Sequence, residues 1–305
     1  MNWPLIIAIL LIFILFVLSI LSAQKVSNSF KYVFTNDIQC GEEECKATIV
    51  DLPVPVDLTN NYQRNVARYC ADLVYRIEKL DIQDPKGLKR EELVYSLDKT
   101  PVFGCLWSND EVLWIGYRGT MNVKEWVQNF QFDQEIFTEE DENVTAQTKL
   151  KFLRNVQTQP NVHSGFLNIY EQFRDSVLQT VKKINPRKII VCGHSLGGAI
   201  ATINALDLKN AGYDVSAYTF ASPKIGDESF CDIINTSKLK LYRIFNTLDI
   251  IPTLPTSVSP NMSNSKQPFF YNDCGEPIFF STNWKSLLNN HVLGVYIDAL
   301  ERNLI

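Results

Sequence analysis

The stretch from Lys188 to Gly212 constrains the fold more than any other part of the chain. Lys188-Ile189-Ile190-Val191-Cys192 is a short apolar, β-branched run of the kind expected in a strand buried on both faces. Gly193-His194-Ser195-Leu196-Gly197 follows, and Gly198 to Leu206 is a helical run rich in small residues that ends before Asn210-Ala211-Gly212. A turn this sharp brings strand and helix backbones too close for a Cβ two residues either side of its centre. It also holds the central serine in a strained conformation, with its Oγ lifted above the sheet edge. The G-x-S-x-G pattern alone is weak, since ordinary glycine and serine frequencies produce it in roughly one chain in ten of this size. Placed between a buried strand and a small-residue helix, it singles out Ser195 as a candidate nucleophile.

At 305 residues, 46% hydrophobic and 21% charged, the chain can bury a full core. A net charge of −5, with no large basic cluster, argues against nucleic acid as a partner. Pro4 to Leu21 is almost unbroken apolar sequence. As a helix it would be about 27 Å long, close to the ~30 Å hydrocarbon core of a bilayer. Residues 1–23 therefore read as a signal peptide cut after Ala23 or as an uncleaved anchor, a membrane tether through residues 4–21. Either places the remainder outside the cytoplasm, secreted or membrane-anchored. Sequons at Asn143, Asn235 and Asn261 agree, as do seven cysteines. Cys192 lies in the central strand and reads as a free thiol. Cys40, Cys45, Cys70, Cys105, Cys231 and Cys274 are then expected to form three bridges, with Cys40–Cys45 the pairing that proximity favours.

Residues 24–58 are a poorly patterned lead-in, and residues 59–305 read as one α/β catalytic domain. From Thr59, apolar residues at Tyr62, Val66, Tyr69, Cys70, Leu73, Val74 and Ile77 predict a helix packed on the core. Residues 79–100 are charged and read as loop. Val102–Trp107 and Val112–Tyr117 flank Ser108-Asn109-Asp110-Glu111 as a β-hairpin. Met121–Phe130 reads as a short amphipathic helix with Met121, Val123, Trp126, Val127 and Phe130 on its apolar side. Asp133–Glu142, with six acids and no base, reads as a solvated loop. Ser164–Ile184 reads as one helix stopped by Pro186, and Val215–Ala221 and Leu241–Phe245 as two further core strands. Strands alternating with helices predict a mostly parallel central sheet flanked by helices.

A serine nucleophile at neutral pH needs a general base, usually a histidine oriented by a carboxylate. There are three histidines. His194 adjoins Ser195, so its side chain points away from that of its neighbour, and His163 precedes the serine. His291, in Asn289-Asn290-His291-Val292-Leu293, fits the order serine, acid, histidine expected of such a sheet. The acid belongs on a loop after a later strand, and both Asp249 and Asp227 satisfy that. Backbone N–H groups must also meet the developing oxyanion. One comes from Leu196, and a second from the strand-end segment Arg118-Gly119-Thr120.

Five motifs in this order resemble the fungal-type (class 3) triacylglycerol lipases over roughly residues 40 to 297. They are Tyr117-Arg118-Gly119-Thr120; Glu125-Trp126; His163-Ser164-Gly165-Phe166; Gly193-His194-Ser195-Leu196-Gly197-Gly198-Ala199; and Leu241-Tyr242-Arg243-Ile244 with Asp249-Ile250-Ile251-Pro252-Thr253-Leu254-Pro255. The resemblance implies an α/β-hydrolase fold with a nucleophile elbow. It implies hydrolysis of lipid carboxylic esters at an oil–water or membrane interface by Ser195, Asp249 and His291. It makes Asp249 the acid, Thr120 the second oxyanion donor and Met121–Phe130 a lid, and Cys40–Cys45 resembles a disulfide of the family. No metal or organic cofactor is implied. A feruloyl or other soluble-ester esterase, a phospholipase A1-type activity and a non-catalytic binding protein on the same fold are the alternatives. The complete set of triad residue types speaks against the last of these.

Overall fold

The computed structural model describes residues 47–55, 57, 59, 61–95, 101–121, 134–136, 160–259 and 268–305. Helix α1 (Arg64–Glu78) comes first, then strands β1 (Lys89–Val94), β2 (Gly104–Ser108), β3 (Val112–Tyr117), β4 (Gln134–Ile136) and β5 (Asn161–His163). Helices α2 (Ser164–Glu171) and α3 (Arg174–Ile184) lead to β6 (Lys188–His194) and α4 (Leu196–Asn210). The chain continues through β7 (Val215–Phe220), α5 (Glu228–Thr236), β8 (Lys240–Asn246), the short strands β9 (Val258–Ser259) and β10 (Phe269–Phe270), β11 (Glu276–Phe280) and α6 (Leu293–Glu301).

The main sheet has seven strands in the order β1-β2-β3-β6-β7-β8-β11. β3, β6, β7, β8 and β11 run parallel, while β1 and β2 join by antiparallel pairing. This is the α/β-hydrolase fold. Alternate residues of the central strand feed opposite layers of core. Ile189 and Val191 pack with Phe166, Tyr170, Val177, Ile200 and Phe230 under the helices of one face. Ile190 and Cys192 pack with Val66, Leu73, Tyr296 and Leu300 under α1 and α6 on the other. Burial on both faces is what the unbroken apolar run of β6 provides.

Several sequence expectations need correction. The charged segment 79–100 contains the strand β1, whose Lys89, Arg90, Glu91 and Glu92 occupy a sheet edge. Charge there is compatible with a strand because only one side is paired, and it discourages further pairing. The stretch 164–184 is two helices, not one. Phe173 leaves the helical region (φ −130°, ψ 2°), and its ring packs with Phe103, Tyr117 and Tyr170. The apolar stripe is continuous across this break, so periodicity could not reveal it. The predicted lid lies outside the described residues except for Met121, as do Cys40, Cys45 and residues 4–21. Among the described residues no helix is long and apolar enough to cross a membrane.

The cysteines also depart from expectation. Cys231 and Cys274 are bridged, but Cys70 and Cys105 are free, like Cys192. Cys70 projects from α1 onto Cys192, and Cys105 lies inside β2; both fill core space as small apolar side chains do. Burial pushes both thiols up, so they stay neutral.

The Cys231–Cys274 bridge closes a loop with a sequence separation of 43, tying α5 to the entry of β11. Replacing Cys274 by serine should lower the unfolding free energy by about 2–4 kcal/mol in urea titrations. Unreduced peptide maps should show Cys231 linked to Cys274, while Cys70, Cys105 and Cys192 react with alkylating reagent only after unfolding. A bridge found at Cys70 or Cys105 would contradict this arrangement.

Candidate active site

Ser195 stands between β6 and α4 with φ 55° and ψ −125°, a conformation that costs an ordinary residue about 1–3 kcal/mol. The surroundings leave it no alternative. Its N–H donates to the Phe220 carbonyl at 2.9 Å, and its own carbonyl accepts from Gly198 N–H at 2.9 Å. A Cβ on Gly193 would lie 2.1 Å from the Gly197 oxygen. One on Gly197 would lie 2.4 Å from the Tyr117 and Arg118 oxygens. The turn therefore closes only with glycine at both positions.

His291 ends a short 3₁₀ turn (Asn289–His291) just before α6, and Asp249 lies in the turn after β8. His291 Nε2 is 2.8 Å from Ser195 Oγ, and its Nδ1 is 2.7 Å from Asp249 Oδ2. All three residues are buried. With the proton on Nδ1, His291 donates to the carboxylate and accepts from the serine hydroxyl, as a general base must. Asp249 Oδ2 accepts a second bond from Tyr296 Oη at 2.7 Å, and Oδ1 accepts from Ile251 N–H at 2.9 Å. The other acid that spacing allowed is elsewhere. Asp227 Oδ1 accepts from Phe230 N–H and caps α5, while its Oδ2 accepts from Asn161 Nδ2.

Leu196 is the first residue of α4, so its N–H has no acceptor within the helix and sits at the positive end of the helix dipole. Thr120 follows β3 on the neighbouring strand end, and its buried Oγ1 has no partner among the described residues. The residue before Thr120 packs against the serine, for a Cβ on Gly119 would lie 3.2 Å from Ser195 Cβ. Val123, Trp126, Val127 and Phe130 lie outside the described residues, and Met121 is 60% exposed. Among the described residues no group of three or more His, Cys, Asp or Glu side chains is gathered as a metal site requires.

Sequence reasoning missed the residues that hold the acid and base loops together. Asn246 Nδ2 donates to the Thr282 carbonyl, and its Oδ1 accepts from Leu248 and Thr282 N–H groups. Asn290 Nδ2 donates to the Leu248 carbonyl, and its Oδ1 accepts from Trp284 N–H. Buried asparagines at a strand end and beside a candidate histidine were the available signal, since a buried amide needs fixed partners.

The lipase (class 3) family model matches residues 114–259, which hold the elbow, both oxyanion candidates and Asp249. Over this segment, just under half of its length, the chain is similar to the class 3 lipases. A relative from Fusarium solani, secreted mono- and diacylglycerol lipase 1, is 31% identical over 148 residues, covering 47% of this chain and 39% of the relative. Phospholipase A1-II 3 of Oryza sativa subsp. japonica is 26% identical over 301 residues, covering 77% of this chain and 66% of that protein. The chain thus spans less than two thirds of the length of both relatives. The solved triacylglyceride lipase of Rhizomucor miehei superposes with a TM-score of 0.54 at 21% identity, covering 72% of this chain and 81% of the other, a likeness of fold.

The two acids separate experimentally. Asp249→Asn should cost about 10⁴-fold in kcat, because the amide favours the wrong imidazole tautomer. Asp227→Asn keeps a good capping residue and should cost less than about fivefold in kcat, with at most ~1 kcal/mol of stability. Steady-state kinetics and melting curves on both variants give the ranking, and the reverse order would assign the acid to Asp227.

Proposed function

We propose that this chain hydrolyses the carboxylic esters of lipids through a covalent acyl-enzyme, with Ser195 as nucleophile, His291 as general base and acid, and Asp249 as the orienting carboxylate. The observation that carries the proposal is the unbroken line from Ser195 Oγ to His291 Nε2 and from His291 Nδ1 to Asp249 Oδ2, with contacts of 2.8 and 2.7 Å. As Oγ attacks the ester carbonyl, its proton passes to Nε2, and the imidazolium is held by Asp249 while Tyr296 and the Ile251 N–H share the carboxylate charge. The tetrahedral oxyanion is received by the N–H groups of Leu196 and Thr120. His291 then returns the proton to the departing alcohol, and a water activated by the same imidazole releases the acid.

Lipid esters are the substrate class because the relatives named above are lipases and a phospholipase A1. The rice protein aligns over 77% of this chain, so cleavage of a phospholipid acyl ester is the second reading. Export fits the likeness to a secreted Fusarium lipase, the Cys231–Cys274 bridge and the apolar segment 4–21. Ser195 and His291 are 0% and 2% exposed, so the reading includes a cover over them that yields to substrate. The Met121–Phe130 segment is proposed as that cover, its apolar side lying on the acyl groove in water and on lipid at an interface. Trp126 would contribute most to both contacts.

Ser195→Ala should lower turnover by up to about 10⁶-fold on p-nitrophenyl and glyceride esters while the fold is kept. A purified variant retaining over about a tenth of wild-type turnover would exclude Ser195 as the nucleophile. A panel comparing triglyceride, diglyceride and phosphatidylcholine of graded chain length separates the two substrate readings. Trp126→Ala should reduce hydrolysis of emulsified triglyceride at least tenfold more than that of a dissolved short-chain ester; equal losses would remove Trp126 from the lid.

A further inference from the structure

Next to Ser195 in the chain, and against the ring of His291, lies a polar pair that the hydrolytic cycle above does not use. His194 ends β6, and its ring is buried. Its Nδ1 lies 2.7 Å from Glu78 Oε1, and its Nε2 lies 2.8 Å from the backbone carbonyl of His291. Glu78 is the last residue of α1, where the helix dipole is unfavourable to an acid, so helix stability does not explain its position. The same Oε1 also accepts a long hydrogen bond from Gly119 N–H at 3.4 Å.

Both partners of the imidazole are acceptors, an ionised carboxylate and a carbonyl. Filling both contacts requires a proton on each ring nitrogen, which makes His194 an imidazolium. Burial opposes both charges, yet their mutual attraction prevails: His194 is held above its ordinary pKa of 6.5 and Glu78 below its ordinary 4.5. The other ionisable groups facing the pair are His291, whose ring centroid is 4.8 Å from that of His194, Asp249 and Arg118.

We propose that the Glu78–His194 pair is a positioning device that fastens the base-bearing loop and the oxyanion strand end to the nucleophile elbow. Three segments meet at it. The elbow supplies His194 itself, the base loop supplies the His291 carbonyl, and the strand end after β3 supplies Gly119 N–H. The residue whose side chain accepts the serine proton is thereby held at its backbone by the residue preceding the serine. A displacement of about 1 Å between such groups can cost about 10²-fold in rate. The inference rests on the proposed hydrolytic cycle for its kinetic consequence but not for the state of the pair.

The test uses the whole chain labelled with ¹⁵N-histidine, with the three histidines assigned by substitution. At pH 7.5 the wild-type protein should show both His194 ring nitrogens protonated. In Glu78→Gln, the amide can donate to Nδ1, so His194 becomes neutral yet keeps Nε2–H on the His291 carbonyl. In Glu78→Leu, nothing fixes which nitrogen holds the proton. We expect kcat on a dissolved short-chain ester to fall about 30-fold in Glu78→Leu with KM within twofold, and less than about fivefold in Glu78→Gln. A pyridine-type nitrogen on wild-type His194 would overturn the charged pair. A Gln loss as large as the Leu loss, or a Leu kcat within threefold of wild type, would overturn the positioning role. Should Glu78→Leu fail to fold, Glu78→Ala takes its place in the kinetic comparison under the same limits, and the wild-type nitrogen signals still judge the charged pair. An inert wild-type protein would sink the hydrolytic reading while leaving the nitrogen measurement to judge the pair.

Discussion

The contact on which the site depends is the passage of Gly193 against Gly197. The carbonyl of Gly197 occupies the space where a Cβ on Gly193 would stand, and Gly197 in turn presses on the carbonyls of Tyr117 and Arg118. One close approach thus joins β6, the start of α4 and the end of β3. Ser195 is strained because it must bridge that approach. The strain is sustained by buried bonds to Phe220 and Gly198 and by the apolar layers on both faces of β6. The same compression brings the end of β3 against the serine, where a Cβ on Gly119 would lie 3.2 Å from Ser195 Cβ.

Asp249 and His291 are held by different physics from Ser195. Neither lies in regular structure, and each sits in a short turn whose backbone groups need partners. Asn246 and Asn290 supply them, bonding across from the β8 turn to the segment before α6. Tyr296, one turn into α6, reaches back to Asp249 Oδ2 and accepts from Asn246 N–H at 3.2 Å, so the helix that follows the base also fixes the acid. A network like this is favourable only when complete, because any buried amide left unpaired would cost about 1–3 kcal/mol. Around Asp249 both carboxylate oxygens have partners, Oδ2 with His291 and Tyr296 and Oδ1 with the Ile251 N–H.

How much of this could be read from residues alone follows from the range of each interaction. The elbow was legible because its determinants lie within ten residues: a buried strand, two glycines and a small-residue helix. His291 was singled out by elimination among three histidines, and the fold sets its Nε2 2.8 Å from Ser195 Oγ. The acid was not, since Asp227 and Asp249 both follow strands, and only the folded chain shows one capping α5 and the other facing His291. β1 was hidden because an edge strand tolerates Lys89 to Glu92, and the break at Phe173 because a ring turned into the core still looks like part of a helical stripe. The cysteines misled because pairing depends on tertiary distance. Cys70 and Cys105 carry no local mark that separates a core thiol from half of a bridge.

A buried catalytic arrangement must be rigid where charge develops and open where substrate enters, and the two demands meet at the end of β3. Arg118 Nε donates to the Val102 carbonyl and its Nη1 to the Gly119 carbonyl, and its guanidinium lies 5.6 Å from the centre of the Phe103 ring. Its backbone N–H donates to the Phe103 carbonyl as well. Gly119 is therefore held through its carbonyl from the protein side. An oxyanion donor gains its advantage from that fixity, because dipoles already aimed at the developing charge need no reorganisation. One residue further on, Met121 is exposed. On the proposed reading, an oxyanion donor at Thr120 would draw on this fixed strand end, and a cover beginning at Met121 would adjoin it.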